Sequence, residues 1–237
     1  MKRITMFCLP YAGGNKYSYR DYEKMAPPHV HVVPLEYPGR GSRIKEGFVL
    51  KMDVLVDRLY EDIKSRLDDD YMIYGHSMGG VAAFFLARKI IAAGHKPPMH
   101  LFITGTMGPS APTRKIKKRH LLSKKEFIQE IKDLDGCPEE ILQNEELLNY
   151  FEPILRADFQ VSETYTYEPG PVFNIPITVI TGTAEDMEQE EILLWQKESS
   201  LPVDFRTMPG KHFFIFKFPL EIMEIICSKL SIHQQAY

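Results

Sequence analysis

The segment Gly75-His76-Ser77-Met78-Gly79 has the spacing of a serine nucleophile on a tight turn. It follows the apolar stretch 71–74 and precedes a helical pattern, which is the strand-turn-helix context of a nucleophile elbow. The residues two places before and after the serine must be small because the chain nearly touches itself there, and both are glycine. The sequence therefore predicts that Ser77 is an activated nucleophile at the N-terminus of a helix, where negative charge is favoured.

A catalytic serine needs a base, and the sequence offers His212 for this role. Where a nucleophile elbow is present, the histidine follows both the serine and the acid along the chain. Only His212 and His233 lie near the end of the chain. His212 stands between a predicted last strand and a C-terminal helix, whereas His233 lies in a polar tail. We therefore predict that His212 is the base and that the ring of His76 supports the turn.

The carboxylate that orients the base should follow a late strand. The stretch 176–182 is such a strand and leads into Thr183-Ala184-Glu185-Asp186. Asp186 is the predicted acid and Glu185 is its near alternative, because adjacent residues in an extended loop point apart and at most one can face His212. Asp158 is a further alternative, but it lies in a helical segment, where a surface or capping role is expected.

Two backbone N–H groups must stabilise the oxyanion in this mechanism. One belongs to the residue after the nucleophile, Met78, and the other to a loop after an early strand. Pro10-Tyr11-Ala12-Gly13-Gly14 follows the first apolar run and is the candidate loop, with Ala12 N–H as the predicted donor. The loop lacks the Gly-Lys-Ser/Thr signature of a phosphate-binding loop.

Short apolar runs alternate with helical patterns along most of the chain. The helical patterns cover 53–66, 78–93 and a C-terminal segment that begins at Pro219. Several of the runs between them are nearly continuous apolar segments, which are typical of strands buried on both faces of a parallel sheet. This alternation predicts a doubly wound α/β sheet. The predicted strands are 3–9, 30–35, 71–74, 100–104, 176–181 and 203–207.

One segment, from about 108 to 168, carries helix signals without a strand. Ser123 and Glu126 form a capping box, and Pro138 opens a short helix. A third helix starts at Asn144 and contains Pro153, which should kink or split it.

Helical insertions into parallel sheets often serve as lids. We therefore expect one domain over 1–237 with a helical lid inserted at about 108–168. The basic run 114–119 within it could dock an acidic partner, although a solvated loop is the simpler interpretation.

The composition narrows the classes of protein that this chain can represent. It has 237 residues, 44% apolar and 26% charged, which is typical of one globular domain. A net charge of -3 gives no electrostatic reason to expect nucleic acid as a partner. Three scattered cysteines indicate neither a disulfide framework nor a zinc site, and the apolar runs are too short to span a membrane. The N-terminal apolar stretch fits a first strand better than a signal peptide, so we expect a cytoplasmic protein.

Six sequence blocks, in the order expected of the family, resemble those of type II thioesterases, the free-standing editing hydrolases of nonribosomal peptide and polyketide synthesis. Two of these blocks, LRADF and PGRGSR, are not shared by generic α/β-hydrolases. The blocks are PYAGG at 10–14, YPGRGSR at 37–43, GHSMGG at 75–80, LLSKKEFIQEIKDLDGCPEEIL at 121–142, LRADF at 155–159 and GKHFFIF at 210–216. The chain departs from the family pattern at Thr183, Lys211 and Tyr22, none of which supplies a catalytic atom.

The resemblance implies an α/β-hydrolase fold with a helical lid over the substrate channel. It implies a triad of Ser77, Asp186 and His212, with Met78 and Ala12 as oxyanion donors. The implied reaction is hydrolysis of acyl or aminoacyl thioesters from the phosphopantetheine arm of acyl or peptidyl carrier proteins, which edits mis-primed synthetases. No metal and no dissociable cofactor is expected, and we expect a monomer that binds neither nucleic acid nor membrane.

Other functions remain open at this point. A medium-chain fatty acyl thioesterase that ends fatty acid synthesis early would use the same residues. An esterase or lipase acting on oxygen esters would also use them. A non-catalytic hydrolase-fold binding protein would normally lack one member of the triad, whereas candidates for all three members are present here.

Overall fold

A single parallel sheet organises the chain. A computed structural model describes residues 3–115, 118–134 and 143–235. Its six strands lie in the order β2-β1-β3-β4-β5-β6, and every neighbouring pair is parallel. The strands are β1 Ile4–Leu9, β2 Val30–Pro34, β3 Tyr71–His76, β4 Leu101–Thr104, β5 Ile177–Gly182 and β6 Asp204–Met208. The predicted doubly wound sheet is confirmed, and each predicted strand is present within two residues of its expected bounds.

Helices connect the strands and cover both faces of the sheet. The α-helices of the described ranges are α1 Arg20–Met25, α2 Met52–Ile63, α3 Met78–Ala92, α4 Lys124–Asp133, α5 Glu145–Thr164, α6 Gln189–Leu193 and α7 Pro219–Gln235. Helix α3 is buried over most of its surface, as its nearly all-apolar sequence predicts. It packs with α2 on one face of the sheet, and α1 packs with α7 on the other. None of the helices within the described ranges is long and apolar enough to cross a membrane.

Between β4 and β5 the described residues form helices and 3-10 turns, without a strand. Ser123 caps α4 as predicted: its hydroxyl accepts from Glu126 N–H, and the Glu126 carboxylate accepts from Ser123 N–H at 3.1 Å. Asn144 caps α5 through its side-chain oxygen, which accepts from the backbone N–H groups of Glu146 and Leu147. The helix predicted to open at Pro138 lies outside the described residues.

The expected split at Pro153 does not occur, since α5 continues through this residue to Thr164. A proline inside a helix removes one backbone hydrogen bond. The following residues, Ile154 and Leu155, are buried, and their packing offsets that loss. The continuous helix places the LRADF block at the carboxyl ends of the strands.

Candidate active site

The elbow at Ser77 has the strained backbone that the sequence predicts. Strand β3 ends at His76 and α3 begins at Met78, so Ser77 makes the turn alone with φ 55° and ψ -119°. A Cβ at Gly75 would overlap the backbone of Gly79, and a Cβ at Gly79 would overlap that of Leu9. Only glycine fits these two positions, which explains the spacing of the motif.

Ser77 and His212 meet as predicted. His212 Nε2 lies 3.0 Å from Ser77 Oγ, which is hydrogen-bond distance. The two residues are 135 positions apart in the chain, and each follows the carboxyl end of a strand. This arrangement suits proton transfer from the hydroxyl to the ring.

The carboxylate on the other side of the ring belongs to Glu185. Glu185 Oε1 lies 2.6 Å from His212 Nδ1, and the Glu185 side chain is 3% exposed. Asp186 lies in the wall of the same cavity but is exposed. The structure therefore contradicts the prediction that Asp186 orients His212. It agrees with the expectation that only one of the two adjacent carboxylates faces the ring.

Backbone geometry explains why the longer side chain takes this role. Glu185 is the fourth residue of a turn that starts at the end of β5, and its second oxygen accepts from Gly182 N–H at 2.6 Å. Ala184 N–H donates to Gly210 C=O at 2.9 Å, which joins this turn to the loop that carries His212. The sequence showed two adjacent acids, but it did not show which one this turn directs toward the ring.

His76 lies behind His212 and is fully buried. The centroids of the two rings are 4.8 Å apart, and His76 Nδ1 lies 2.9 Å from Thr104 Oγ1. Burial lowers the pKa of His76 well below its usual value, and a positive charge on the neighbouring His212 ring would lower it further. His76 therefore remains neutral and packs against the base, as expected of a ring that supports the turn.

Both predicted oxyanion donors lie in the wall of the cavity that contains Ser77. Met78 is the first residue of α3, so its N–H has no acceptor within the helix. Ala12 lies in a turn closed by a hydrogen bond of 2.9 Å from Gly14 N–H to Tyr11 C=O. The structure thus brings the two residues to the same cavity as the nucleophile.

The expectation that Asp158 is a surface or capping residue is wrong. Its side chain is 4% exposed and accepts one hydrogen bond of 2.5 Å on each oxygen from Arg40. The same carboxylate accepts from Gly13 N–H at 2.7 Å. Asp158 and Arg40 lie in LRADF and PGRGSR, the two blocks that generic α/β-hydrolases do not share, but the sequence alone did not indicate that these residues contact each other.

A cavity of about 520 Å³ lies at the carboxyl ends of the strands. Ser77 and His212 line one part of it, whereas Ile131, Leu155 and Phe159 line the part contributed by the helical segment between β4 and β5. Clefts of this kind outside the carboxyl ends of parallel strands are the usual ligand sites of α/β sheets.

The arginines of the basic run 114–119 also line this cavity, in part contrary to the interpretation as a solvated loop. Arg114 donates to Thr106 Oγ1 at 2.6 Å and to the carbonyl of Gly108 at 2.9 Å. Arg119 forms ion pairs of 3.0 Å with Glu130 and with Glu163. The guanidinium groups of both arginines therefore form hydrogen bonds or ion pairs with other residues of this chain.

Comparisons with known proteins agree with this geometry. A family model described as "Thioesterase domain" matches residues 4–231. The gramicidin S biosynthesis protein GrsT of Aneurinibacillus migulanus is 32% identical over 231 residues, covering 97% of this chain and 90% of that protein.

Two solved structures are similar over nearly the whole chain. ClbQ, from the colibactin NRPS/PKS pathway, has a TM-score of 0.93 and 30% identity, with all of both chains covered. BorB, the type II thioesterase of the borrelidin biosynthetic cluster, has a TM-score of 0.88 and 32% identity, covering 96% of this chain and 93% of BorB. The sheet, the elbow and these matches lead to one conclusion: the chain is an α/β-hydrolase that belongs to the thioesterase family and acts as a thioester hydrolase.

Proposed function

We propose that this enzyme removes acyl or aminoacyl groups from the phosphopantetheine arm of carrier proteins, using Ser77, His212 and Glu185. The observation that carries the mechanism is the continuous line of hydrogen-bond distances, 3.0 Å from Ser77 to His212 and 2.6 Å from His212 to Glu185. All three groups come from one chain, so the proposal requires no second copy of the protein.

In the first half of the reaction, Ser77 Oγ attacks the thioester carbonyl carbon while His212 Nε2 takes the hydroxyl proton. The C–S bond breaks, the acyl group stays on Ser77, and the thiol leaves with the proton from His212. Glu185 keeps His212 Nδ1 protonated and stabilises the imidazolium that forms. The N–H groups of Met78 and Ala12 are the proposed donors to the oxyanion.

In the second half, His212 takes a proton from water, and the resulting hydroxide attacks the acyl-enzyme. The bond between the acyl carbon and Ser77 Oγ breaks, the serine regains its proton from His212, and the carboxylic acid is released. These residues supply every proton transfer that the reaction requires.

The proposed partner is supported by the relatives. GrsT takes part in gramicidin S biosynthesis, BorB is a type II thioesterase of a biosynthetic cluster, and ClbQ belongs to an NRPS/PKS pathway. Such pathways carry their intermediates as thioesters on carrier proteins, and an enzyme with the same fold and similar length would act on those thioesters.

The wall of the cavity is chemically mixed. Charged side chains stand in its wall beside the apolar ones, among them Arg119, Glu163 and Glu191. We infer that the segment 108–168 acts as the lid that closes this cavity, because its helices α4 and α5 contribute to the wall.

The test is hydrolysis of a set of acyl-carrier proteins by the native enzyme and by Ser77→Ala. The set contains acetyl-, aminoacyl- and decanoyl-carrier proteins, together with a matched pair of oxygen ester and thioester of the same acyl group. We expect turnover of the first two carriers and a loss of about 10⁴-fold or more in Ser77→Ala.

The outcomes separate the alternatives. Preference for the decanoyl carrier would indicate a fatty acyl thioesterase, and preference for the oxygen ester would indicate an esterase. Equal rates for the native enzyme and Ser77→Ala would refute the catalytic mechanism.

A further inference from the structure

The loop of residues 10–14, here called the oxyanion loop, is held by hydrogen bonds on several of its peptide groups. Within the loop, Gly14 N–H donates to Tyr11 C=O. The Tyr11–Ala12 peptide is planar and trans, so a carbonyl directed toward Gly14 leaves Ala12 N–H pointing the opposite way. The direction of Ala12 N–H, the proposed donor, therefore depends on the positions of Gly13 and Gly14.

Helix α5 fixes the first of these glycines. Asp158 accepts from Gly13 N–H at 2.7 Å, and Leu155, one turn earlier on the same helix face, packs against Gly13. Gly13 has φ +81°, a conformation that favours glycine, and the Leu155 side chain lies directly against its Cα. The loop thus rests directly on α5.

Arg40 fixes the second glycine and completes the arrangement. It donates to Gly14 C=O at 3.1 Å and to both oxygens of Asp158. The side chains of Arg40 and Asp158 are 5% and 4% exposed, so neither charge is screened by water and each needs the other. One buried ion pair therefore binds an N–H and a C=O of the same short loop.

We propose that Asp158 and Arg40 are positioning residues, which hold the oxyanion loop so that Ala12 N–H points at the oxyanion formed on the substrate. Arg40 also cancels the negative charge of Asp158, which lies one hydrogen bond from Gly13 and would otherwise oppose the developing oxyanion. The inference rests on the proposed function, because it assigns a role to these residues in the same reaction.

Through Asp158, the helical segment between β4 and β5 is in contact with the oxyanion loop. Asp158 belongs to α5, so a movement of α5 away from the sheet would release Gly13. The oxyanion loop would then lose its external support, and the donor would lose its direction. The oxyanion site is therefore complete only when α5 lies against the loop.

The experiment compares Asp158→Asn, Asp158→Ala and Arg40→Lys with the native enzyme. For each protein we would measure kcat and KM on an acyl-carrier protein, and the affinities for two ligands with the same acyl chain. One ligand is a trifluoromethyl ketone, whose adduct with Ser77 carries an oxyanion. The other is the thioether analogue, which binds without forming an adduct.

For Asp158→Ala we expect kcat to fall by about 10- to 100-fold, below the loss of about 10²–10³ that follows removal of an oxyanion donor. KM and the thioether affinity should change by less than about 3-fold, whereas the trifluoromethyl ketone should bind more weakly by the same factor as kcat. The decrease in kcat should be smaller for Asp158→Asn, because the amide oxygen of asparagine can still accept a hydrogen bond from Gly13 N–H. Arg40→Lys should also lose activity, since lysine cannot form the two parallel hydrogen bonds.

The matched control is Glu198→Gln. Glu198 is a buried carboxylate that accepts from Tyr167 OH at 2.8 Å, and it lies outside the cavity wall. Its neutralisation should leave the ratio of the two ligand affinities unchanged. If Asp158→Ala does not fold, as judged by circular dichroism, the other two variants carry the same comparison.

Equal loss of affinity for the two ligands, or an unchanged kcat in folded Asp158→Ala, would overturn the inference. Failure of the native enzyme to hydrolyse carrier thioesters would instead overturn the proposed substrate. In that case the ratio of ligand affinities would still decide the role of Asp158, since the adduct requires only Ser77 and the oxyanion site.

Discussion

Replacing Glu185 with glutamine should remove the charge that stabilises His212 when it takes the proton of Ser77. The structure places Glu185 Oε1 2.6 Å from His212 Nδ1 and leaves the carboxylate only 3% exposed, so water screens the pair weakly. Glutamine keeps the size of the side chain and removes its charge. The change therefore tests electrostatics with little change in packing.

The size of the effect follows from Coulomb's law. With about 4 Å between the centres of charge and an effective dielectric constant of about 20, the interaction between imidazolium and carboxylate is about 4 kcal/mol. The imidazolium exists in the transition state and not in the ground state, so this energy appears in the barrier. A barrier higher by about 4 kcal/mol corresponds to a loss of about 10³-fold in kcat.

The assay is steady-state hydrolysis of an acetyl-carrier protein by Glu185→Gln, Glu185→Asp and Asp186→Asn. Glu185→Asp retains the charge but withdraws it by about 1.5 Å, the length of one C–C bond, so its loss should be smaller than that of Glu185→Gln. Asp186→Asn is the matched control, because Asp186 is adjacent and exposed. It should retain activity within about 3-fold.

The reasoning would be refuted by the reverse pattern. If Asp186→Asn lost about 10³-fold while Glu185→Gln remained active, Asp186 would be the orienting acid in solution. The turn after β5 would then have a different conformation in solution, with Asp186 directed toward His212.

Two further predictions concern stability. The pKa of His76 lies well below its usual value of about 6.5. As the pH falls from about 6.5 to 5, the unfolded chain binds a proton that the folded protein excludes. The free energy of unfolding should therefore fall by up to about 1.4 kcal/mol per pH unit. His76→Gln should show a shallower dependence in urea unfolding at several pH values, and parallel curves would contradict this expectation. Gly75→Ala introduces a Cβ that overlaps backbone and should destabilise the protein by about 3 kcal/mol, whereas Gly47→Ala, with open space around it, should not lower the melting temperature. A shift of about 6–12 °C between these two variants is expected, and equal melting temperatures would contradict the steric argument.

Much of the fold was predictable because local signals agree with the tertiary structure. Strands buried on both faces of a parallel sheet require nearly continuous apolar runs, and several of these runs were visible in the sequence. The elbow was predictable because a side chain at Gly75 or Gly79 would overlap the backbone, so the turn requires glycine at these two positions. His212 was predictable from its place after the last strand.

The parts that were not predictable depend on backbone direction and on contacts between distant segments. The choice between Glu185 and Asp186 is decided by one turn, which directs two adjacent side chains to different places. The role of Asp158 depends on Arg40, which lies 118 residues away in the chain. The continuity of α5 through Pro153 depends on burial that no local pattern reports.

The exclusively parallel sheet has a consequence for the order of assembly. Among the six strands of the described residues, no two neighbours are joined by a hairpin, because every parallel pair requires a crossover, and such pairings form slowly. The shortest continuous stretch that contains the proposed oxyanion donors and the catalytic side chains runs from 12 to 212. A nascent chain therefore lacks part of the proposed catalytic set until residue 212 has been synthesised, and it cannot cleave thioesters by this mechanism before that point.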